Sequence, residues 1–214
     1  MNSKEYWNSV SETKQFTTPF QFEAFEKYVR PSALILDIGC GYGRTLHELS
    51  LRGYHNLIGI DFSEGMISRG HSLFPELNLQ VKTGPSVNME NESVDAVILF
   101  AVLTCIISDE EQRELIQEIQ RILKPGGILY INDFLLNDDE RNRNRYAAAS
   151  GKYPVYGTFE LPEGAVLRHH SETWIKSLLS DFHTQEYEHL IFTTMNGHQS
   201  NGFYFIGSLL KKPL

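Results

Sequence analysis

A regular alternation of short apolar segments with helical patterns constrains the fold of this chain most strongly. Five apolar segments are predicted as β-strands, at residues 33–37, 57–61, 79–82, 94–100 and 128–132. Strands that alternate with helices predict an α/β fold with a mostly parallel, doubly wound sheet and helices on both faces. Two later strand-like runs, 188–194 and 203–210, flank a turn with Asn196 and Gly197 and predict a C-terminal antiparallel hairpin.

Capping residues mark where the helices are expected to begin. Ser63, Ser108 and Ser171 each precede a helical pattern, and a serine hydroxyl can accept a hydrogen bond from the first turn. The third of these helices is expected to carry Trp174, Leu178, Leu179 and Phe182. Thr18 and Pro19 predict the start of a further helix that ends before Pro31. Residues 135–168 show no periodic pattern, and their aromatic side chains favour an irregular segment that covers a functional site.

Charge and apolar content narrow the possible partners and location. The chain has 19 Lys and Arg against 27 Asp and Glu, a net charge of −8, and no cluster of basic residues. Such a surface repels phosphate backbones, so we expect no nucleic-acid partner. The N-terminus lacks the apolar segment of a secretory signal, and the longest apolar run is shorter than the roughly 20 residues that span a bilayer. We therefore expect a cytoplasmic protein with no membrane partner.

A glycine-rich turn follows the first predicted strand, at the sheet edge where α/β proteins bind ligands. Residues 37–43 are Asp-Ile-Gly-Cys-Gly-Tyr-Gly, and the glycines allow a ligand to lie directly against the backbone. The second strand ends in Asp61, whose carboxylate can accept hydrogen bonds from two ribose hydroxyls. Asp37 would repel the pyrophosphate of a dinucleotide. The pattern therefore favours a nucleoside ligand that carries a positive charge.

These motifs resemble those of the class I S-adenosylmethionine-dependent methyltransferases. The resemblance covers residues 33–134 and rests on four segments in the family's order: 35–43, 59–66, 93–97 and the Leu-Lys-Pro-Gly-Gly turn at 123–127. It implies a seven-stranded Rossmann-like sheet, S-adenosylmethionine as cofactor and S-adenosylhomocysteine as product. We expect a single domain with four parts: an N-terminal helical cap (1–30), a cofactor-binding core (31–134), a lid and substrate segment (135–170), and a C-terminal helix with a hairpin (171–214).

The resemblance also implies which residues bind the cofactor. They are Asp37, Gly39, Cys40, Gly41, Gly43, Asp61, Phe62, Met66, Ser86 and Phe100. Asp37 would lie near the ammonium group, Asp61 would bind the ribose hydroxyls, and Phe62 and Met66 would pack against the adenine. Residues 84–86 are Gly-Pro-Ser where many relatives have Gly-Asp-Ala, so Ser86 or a backbone group would replace an acid at the adenine.

The methyl acceptor is expected to bind beside the ends of the fourth and fifth strands. Asp133 and His169 are the candidate catalytic residues, as a general base or as groups that orient the acceptor. The candidate substrate-binding residues are Thr104, Tyr146, Tyr156 and His170. The histidines do not have the spacing of metal ligands, so we expect no metal.

These expectations combine into one predicted function with several alternatives. We predict a methyltransferase that transfers a methyl group to a small-molecule acceptor by in-line displacement, favoured by the acidic charge, the single domain and the aromatic segment. One alternative is a methyltransferase that acts on RNA or protein. Another is a non-catalytic S-adenosylmethionine-binding module, and a more distant one is an NAD-linked oxidoreductase.

Overall fold

The computed structural model describes residues 3–84, 86–194 and 197–210. The strands are β1 (Ile35–Ile38), β2 (Leu57–Asp61), β3 (Asn78–Val81), β4 (Val94–Phe100), β5 (Leu123–Phe134), β6 (Thr158–Glu160), β7 (Val166–Arg168), β8 (Phe182–Thr193) and β9 (Gln199–Leu209). The α-helices are α1 (Ser3–Ser9), α2 (Phe22–Glu26), α3 (Arg44–Ser50), α4 (Glu64–Leu73), α5 (Asp109–Ile122), α6 (Glu140–Ala149) and α7 (Glu172–Leu178). A short 3-10 helix spans Leu103–Cys105.

Seven strands form one mixed sheet in the order β3-β2-β1-β4-β5-β9-β8. The first five are parallel, and the C-terminal pair β8 and β9 runs antiparallel beside β5. This arrangement confirms the predicted fold class. The strand order reverses between β1 and β4, and their carboxyl ends therefore open the crevice in which α/β sheets bind ligands.

The central strands are apolar because both faces of the sheet are covered. On β1 and β4, Leu36 and Val97 pack into one hydrophobic core, while Ile35 and Ile98 pack into the core on the opposite face. All four side chains are fully buried. A parallel strand with helices on both faces favours continuous apolar residues, and this explains why the strands could be located from sequence.

The three serine caps lie where they were predicted. The hydroxyl of Ser63 accepts a hydrogen bond from the backbone N–H of Met66 at 3.1 Å, and Ser171 accepts one from Trp174 at 3.1 Å. Ser108 caps α5 in the same way. These contacts are local, so they depend on a few adjacent residues and not on the rest of the fold.

The predicted helix start at Thr18 is wrong. Helix α2 begins at Phe22, and the preceding residues remain outside the helix. Arg44 donates to the carbonyl oxygen of Thr18 at 2.8 Å, and the ring of Phe20 stacks on Tyr130 with centroids 4.3 Å apart. Long-range contacts to α3 and β5 therefore hold this segment in a non-helical conformation despite its local capping pattern.

The expectation that residues 135–168 are irregular is also wrong. The segment contains α6, β6 and β7, and β6 pairs with β7 as a separate antiparallel ribbon. The side chain of Asp139 caps α6 by accepting from the N–H of Asn142 at 3.2 Å. Helix α6 is mostly polar, so the sequence shows no apolar stripe that would have revealed it.

At the C-terminus, the structure changes the predicted boundaries. Phe182 is the first residue of β8 and not the last turn of a helix, because α7 ends at Leu178. Both hairpin strands begin earlier than predicted, with β8 and β9 paired from Phe182 to Thr193. Asn196, expected in the turn between them, lies outside the described residues.

No helix within residues 3–84, 86–194 and 197–210 combines the length and the apolar character needed to cross a lipid bilayer.

Candidate functional site

A cavity of about 240 Å³ lies at the carboxyl ends of the parallel strands. The segment that follows α1 forms part of its lining, and residues of α6, β6 and β7 form another part. Ten of the predicted site residues line it: Asp37, Gly39, Cys40, Gly41, Asp61, Phe62, Met66, Phe100, Thr104 and His169. The structure therefore brings eight of the ten predicted cofactor-binding residues together at the predicted edge of the sheet, with Thr104 and His169 beside them.

The glycine-rich turn presents bare backbone to this cavity. Gly39 and Gly41 have left-handed φ angles of 76° and 56°, which side-chain-bearing residues rarely adopt. A Cβ atom added to Gly41 would lie 2.5 Å from the ring of Phe16, and one added to Gly39 would lie 2.6 Å from Val102. Glycine at these two positions is needed both for the backbone conformation and for the close approach of Phe16 and Val102 to the turn.

Asp37 is a buried acid whose hydrogen-bonding capacity is incompletely used. Its Oδ1 atom has no hydrogen-bond partner among the described residues. Burial and, to a smaller extent, the nearby charge of Asp61 raise the pKa of Asp37 to about 7, while Arg44 opposes the rise. An ammonium group at this position would supply the missing donor and favour the ionised carboxylate.

Asp61 links the glycine-rich turn to the start of α4. Its Oδ2 atom accepts from the N–H of Gly41 at 2.9 Å, and its Oδ1 atom accepts from the N–H of Ser63 at 2.8 Å. Burial raises the pKa of Asp61, and these two hydrogen bonds counteract the rise. A carboxylate oxygen can accept more than one hydrogen bond, so Asp61 can still bind two hydroxyl groups. The bare turn, Asp37 and Asp61 together fit S-adenosylmethionine.

Six predicted site residues lie outside the cavity lining: Gly43, Ser86, Asp133, Tyr146, Tyr156 and His170. Gly43 is the N-cap residue of α3, and a Cβ atom there would lie 3.0 Å from Leu79, so its small size serves the packing of α3 against β3. Ser86 is exposed and follows Pro85, which lies outside the described residues. Tyr156 is 64% exposed and contacts Tyr146 edge to face.

Asp133 holds a turn of the backbone and does not face the cavity. Its carboxylate accepts from the N–H of Thr104 at 3.2 Å and from that of Phe134 at 2.8 Å. The side chain is completely buried, and this burial raises the pKa of Asp133 to about 7. The geometry fits a positioning residue for the turn after β4, in contrast to the predicted catalytic role. The hydroxyl of Thr104 is also engaged, because it donates to the carbonyl of Arg168 at 2.9 Å.

His169 lines the cavity as a neutral hydrogen-bond donor. Its Nδ1 atom lies 2.7 Å from the hydroxyl of Tyr146 and 3.2 Å from the side-chain nitrogen of Asn137. The amide oxygen of Asn137 accepts from the N–H of Asn201 at 2.8 Å, so its nitrogen is the atom directed at His169. Nδ1 therefore accepts, and the ring proton resides on Nε2. Burial lowers the pKa of His169 well below its usual range, which makes a role as general base unfavourable.

His170 is buried beside Asp133 rather than beside the cavity. Its Nε2 atom lies 3.9 Å from Oδ1 of Asp133, and both side chains are fully buried. Burial and the charge of Arg168 lower the pKa of His170 to about 3. The imidazole is therefore neutral at physiological pH and belongs to the packing behind the site.

Sequence reasoning missed two arginines of α6 that line the cavity, Arg141 and Arg145. They lie four residues apart and therefore on the same side of the helix. The guanidinium carbon of Arg145 is 3.5 Å from the ring centre of Phe159. Asp139, a good capping residue just before this basic pair, was the signal that could have revealed the helix.

Residues 35–127 match the family model described as "Methyltransferase domain". The chain is 34% identical over 118 residues to the carboxy-S-adenosyl-L-methionine synthase of Campylobacter fetus, covering 54% of this chain and 50% of that protein. It is 26% identical over 174 residues to phosphoethanolamine N-methyltransferase 1 of Triticum aestivum, covering 72% of this chain and 34% of that protein. The chain thus spans half or less of the length of these two curated relatives.

A similar solved structure is that of an S-adenosylmethionine-dependent methyltransferase from Methanosarcina mazei. It superposes with a TM-score of 0.84 at 25% identity and covers 92% of this chain and 100% of that one. A second structure, the 1,6-didemethyltoxoflavin-N1-methyltransferase of Burkholderia thailandensis, has a TM-score of 0.64 at 13% identity, covering 98% and 80% of the two chains. The second likeness concerns the fold alone.

Proposed function

We propose that the chain, whose residues 35–127 match a methyltransferase domain and whose fold is similar to that of an S-adenosylmethionine-dependent methyltransferase, transfers a methyl group to a small-molecule acceptor. One observation carries the proposal: the bare glycine turn, Asp37 and Asp61 converge on the same cavity that aromatic and basic side chains line at its other end. The cavity thus presents one set of groups suited to a nucleoside cofactor and another suited to a second, smaller molecule.

Each cofactor-binding role follows from the contacts already described. Asp37 would bind the ammonium group, and Asp61 would accept hydrogen bonds from the ribose hydroxyls while it holds the N–H of Gly41. Phe62 and Met66, which line the same end, would pack against the adenine. When bound, S-adenosylmethionine supplies an electrophilic methyl carbon. The chain's own contribution is to align an acceptor with that carbon and to exclude water.

The acceptor side supports a small molecule because it is covered by two chain segments. The residues after α1 reach the cavity from one side, and their carbonyls are fixed by Arg69, which donates to Ser11 and Lys14 at 2.7 Å each. Residues of helix α6 and of the β6–β7 ribbon form another part of the lining. Neither Asp133 nor His169 is free to act as a general base. The proposed acceptor therefore attacks through an atom that does not have to lose a proton to one of these side chains before attack.

A matched pair of glycine variants tests the cofactor site. Gly41 and Gly53 both have left-handed φ angles, but a Cβ at Gly53 meets no atom within 4 Å. We expect Gly41→Ala to weaken S-adenosylhomocysteine binding by roughly tenfold or more, whereas Gly53→Ala changes the dissociation constant by less than about twofold. Isothermal calorimetry measures both. Equal affinities for the two variants would count against the assignment of the turn.

A turnover experiment tests the acceptor class. We expect the wild-type protein to release S-adenosylhomocysteine from S-adenosylmethionine when it is supplied with fractions of a small-metabolite library, and Gly41→Ala to release less with the same fractions. Turnover that requires RNA or protein and occurs with no small molecule would contradict the proposed acceptor. Binding of the cofactor product without turnover on any acceptor would favour a non-catalytic module.

A further inference from the structure

The part of the cavity beside the end of β5, a strand separated from β2 by β1 and β4, carries several basic and donor groups. Arg141 and Arg145 of α6 line it together with His169. Among the described residues, Asp139 interacts electrostatically with both arginines. Its carboxylate already caps α6 by accepting from the N–H of Asn142. No carboxylate in the described part of the chain forms an ion pair with either guanidinium. The positive charges of this part of the cavity are thus left without a matched partner.

The surroundings of Arg145 disfavour the positive charge of its guanidinium group. Burial lowers the pKa of Arg145, and the like charge of Arg141 adds to this effect. Its Nε atom is buried without a hydrogen-bond partner in the described residues, while Phe159 covers one face of the guanidinium. A cation that is partly removed from water is stabilised by a paired anion, because its lost hydration is otherwise not replaced. An oxyanion from a ligand would supply that pairing.

His169 adds a donor to the same place. Its Nε2 atom lies 3.3 Å from the Nη2 atom of Arg145. Nη2 also lies 3.4 Å from Nδ1, which already accepts from the hydroxyl of Tyr146. With the ring proton on Nε2, Nη2 and Nε2 are both donors and cannot bond to each other. An oxygen placed beside them can accept from both, and an anion is the group that accepts from several donors at once.

The walls beside these donors are apolar and flat. The ring of Phe134 stacks on that of His169 with centroids 5.5 Å apart and an interplanar angle of 13°. Phe159, Leu161 and Leu167 complete this part of the lining. Such walls favour a ligand whose anionic group is attached to a planar, apolar part such as an aromatic ring.

We propose that the methyl acceptor is a small planar molecule with a carboxylate or phosphate group, bound by Arg145, Arg141 and the Nε2–H of His169. This inference rests on the proposed methyltransferase function. It places the acceptor's negative charge at the basic end of the cavity and the cofactor's ammonium group at the acidic end. Charge separation of this kind orients the acceptor so that its uncharged part faces the cofactor.

The test uses benzoate, phenyl phosphate and benzamide as probes of the protein saturated with S-adenosylhomocysteine. Benzoate and phenyl phosphate distinguish the two oxyanion sources, and benzamide keeps the shape of benzoate without its charge. Calorimetry is expected to show at least one anion binding roughly tenfold or more tighter than benzamide. Arg145→Gln and the exposed Arg141→Gln are each expected to reduce that preference, whereas Arg143→Gln on the same helix retains it.

Distinct results would overturn the two proposals. If the wild-type protein does not bind S-adenosylhomocysteine, the methyltransferase function itself is refuted. If that ligand binds, equal affinity for benzamide and both anions, or no binding of either anion, overturns the anionic acceptor. An equal loss of anion affinity in Arg143→Gln would also overturn it, because general charge and not the cavity would then explain the preference. Arg141→Gln keeps the test valid if Arg145→Gln does not fold.

Discussion

Two buried carboxylates, Asp37 in the cavity lining and Asp133 behind it, differ in how their burial is compensated. Asp37 and Asp133 both have a pKa near 7, chiefly because burial disfavours the charged form. Asp133 recovers part of this cost through backbone hydrogen bonds, but Oδ1 of Asp37 has no such partner among the described residues. An acid that destabilises the free protein and faces a proposed cation is the pattern expected of a binding residue.

We predict that Asp37→Asn stabilises the ligand-free protein at pH 8 and has little effect at pH 4. The pKa of Asp37 rises from 3.8 to about 7 on folding, so the native state keeps a proton that the unfolded chain has lost. Native stability therefore falls as pH rises between these values, and asparagine avoids a loss on the order of 1 kcal/mol or more. Urea unfolding at both pH values measures the difference.

The exposed Asp138→Asn serves as the control for Asp37→Asn, because its side chain lies in water beyond the cavity. We expect it to leave the pH dependence of unfolding unchanged. The Asp37 variant should also bind S-adenosylmethionine more weakly at pH 8, since the ammonium group loses its charged partner. Parallel stability curves for wild type and Asp37→Asn would show that this carboxylate is not the source of the pH dependence.

Among the elements, the turn after β4 is the one on which the acceptor side depends. Ala101 in this turn has a left-handed φ of 56°, a conformation that costs about 1–3 kcal/mol for a residue with a side chain. Asp133 at the end of β5 binds the turn at Thr104, and β7 binds it through the carbonyl of Arg168. Two neighbouring elements thus hold a strained segment in the lining of the cavity.

We predict that Asp133→Ala lowers the free energy of unfolding by about 1–3 kcal/mol, because two buried backbone N–H groups lose their acceptor. Asp133→Asn, which keeps one acceptor oxygen, should lose less stability and retain turnover within about tenfold of wild type. Chemical unfolding and the pH profile of kcat together check this. A missing acidic limb in the profile of Asp133→Asn would instead identify Asp133 as a catalytic base.

Comparison of individual elements shows where sequence patterns are informative. The strands of the parallel sheet and the caps Ser63, Ser108 and Ser171 were predictable, because burial on both faces and local hydrogen bonding leave direct traces in the sequence. Helix α6 was not, since most of its surface is polar and exposed. The bond from Arg44 that excludes Thr18 from a helix, and the neutral donor role of His169, depend on residues distant in sequence.

At the scale of the whole molecule, charge is separated rather than uniformly spread. The chain carries a net charge of −8, yet one end of the cavity collects Arg141 and Arg145 while the other holds Asp37 and Asp61. A long polyanion contacts much of the negatively charged protein surface and is repelled by it, whereas a small anion contacts only the basic part of the cavity. This distinction separates a small-molecule acceptor from an RNA substrate by electrostatics alone.

We therefore predict that unfractionated tRNA neither binds the protein nor competes with S-adenosylhomocysteine. A protein that binds RNA by neutralising its phosphates releases counterions, so its affinity falls steeply as the salt concentration rises. The acidic surface of this chain neutralises few phosphates, so we expect no RNA binding even at low ionic strength. Filter binding across a salt series measures this, with a basic RNA-binding domain as the positive control. Tight binding at low salt that weakens steeply as salt rises would contradict the prediction and revive an RNA acceptor, because the local basic end would then be acting as part of a phosphate-binding surface.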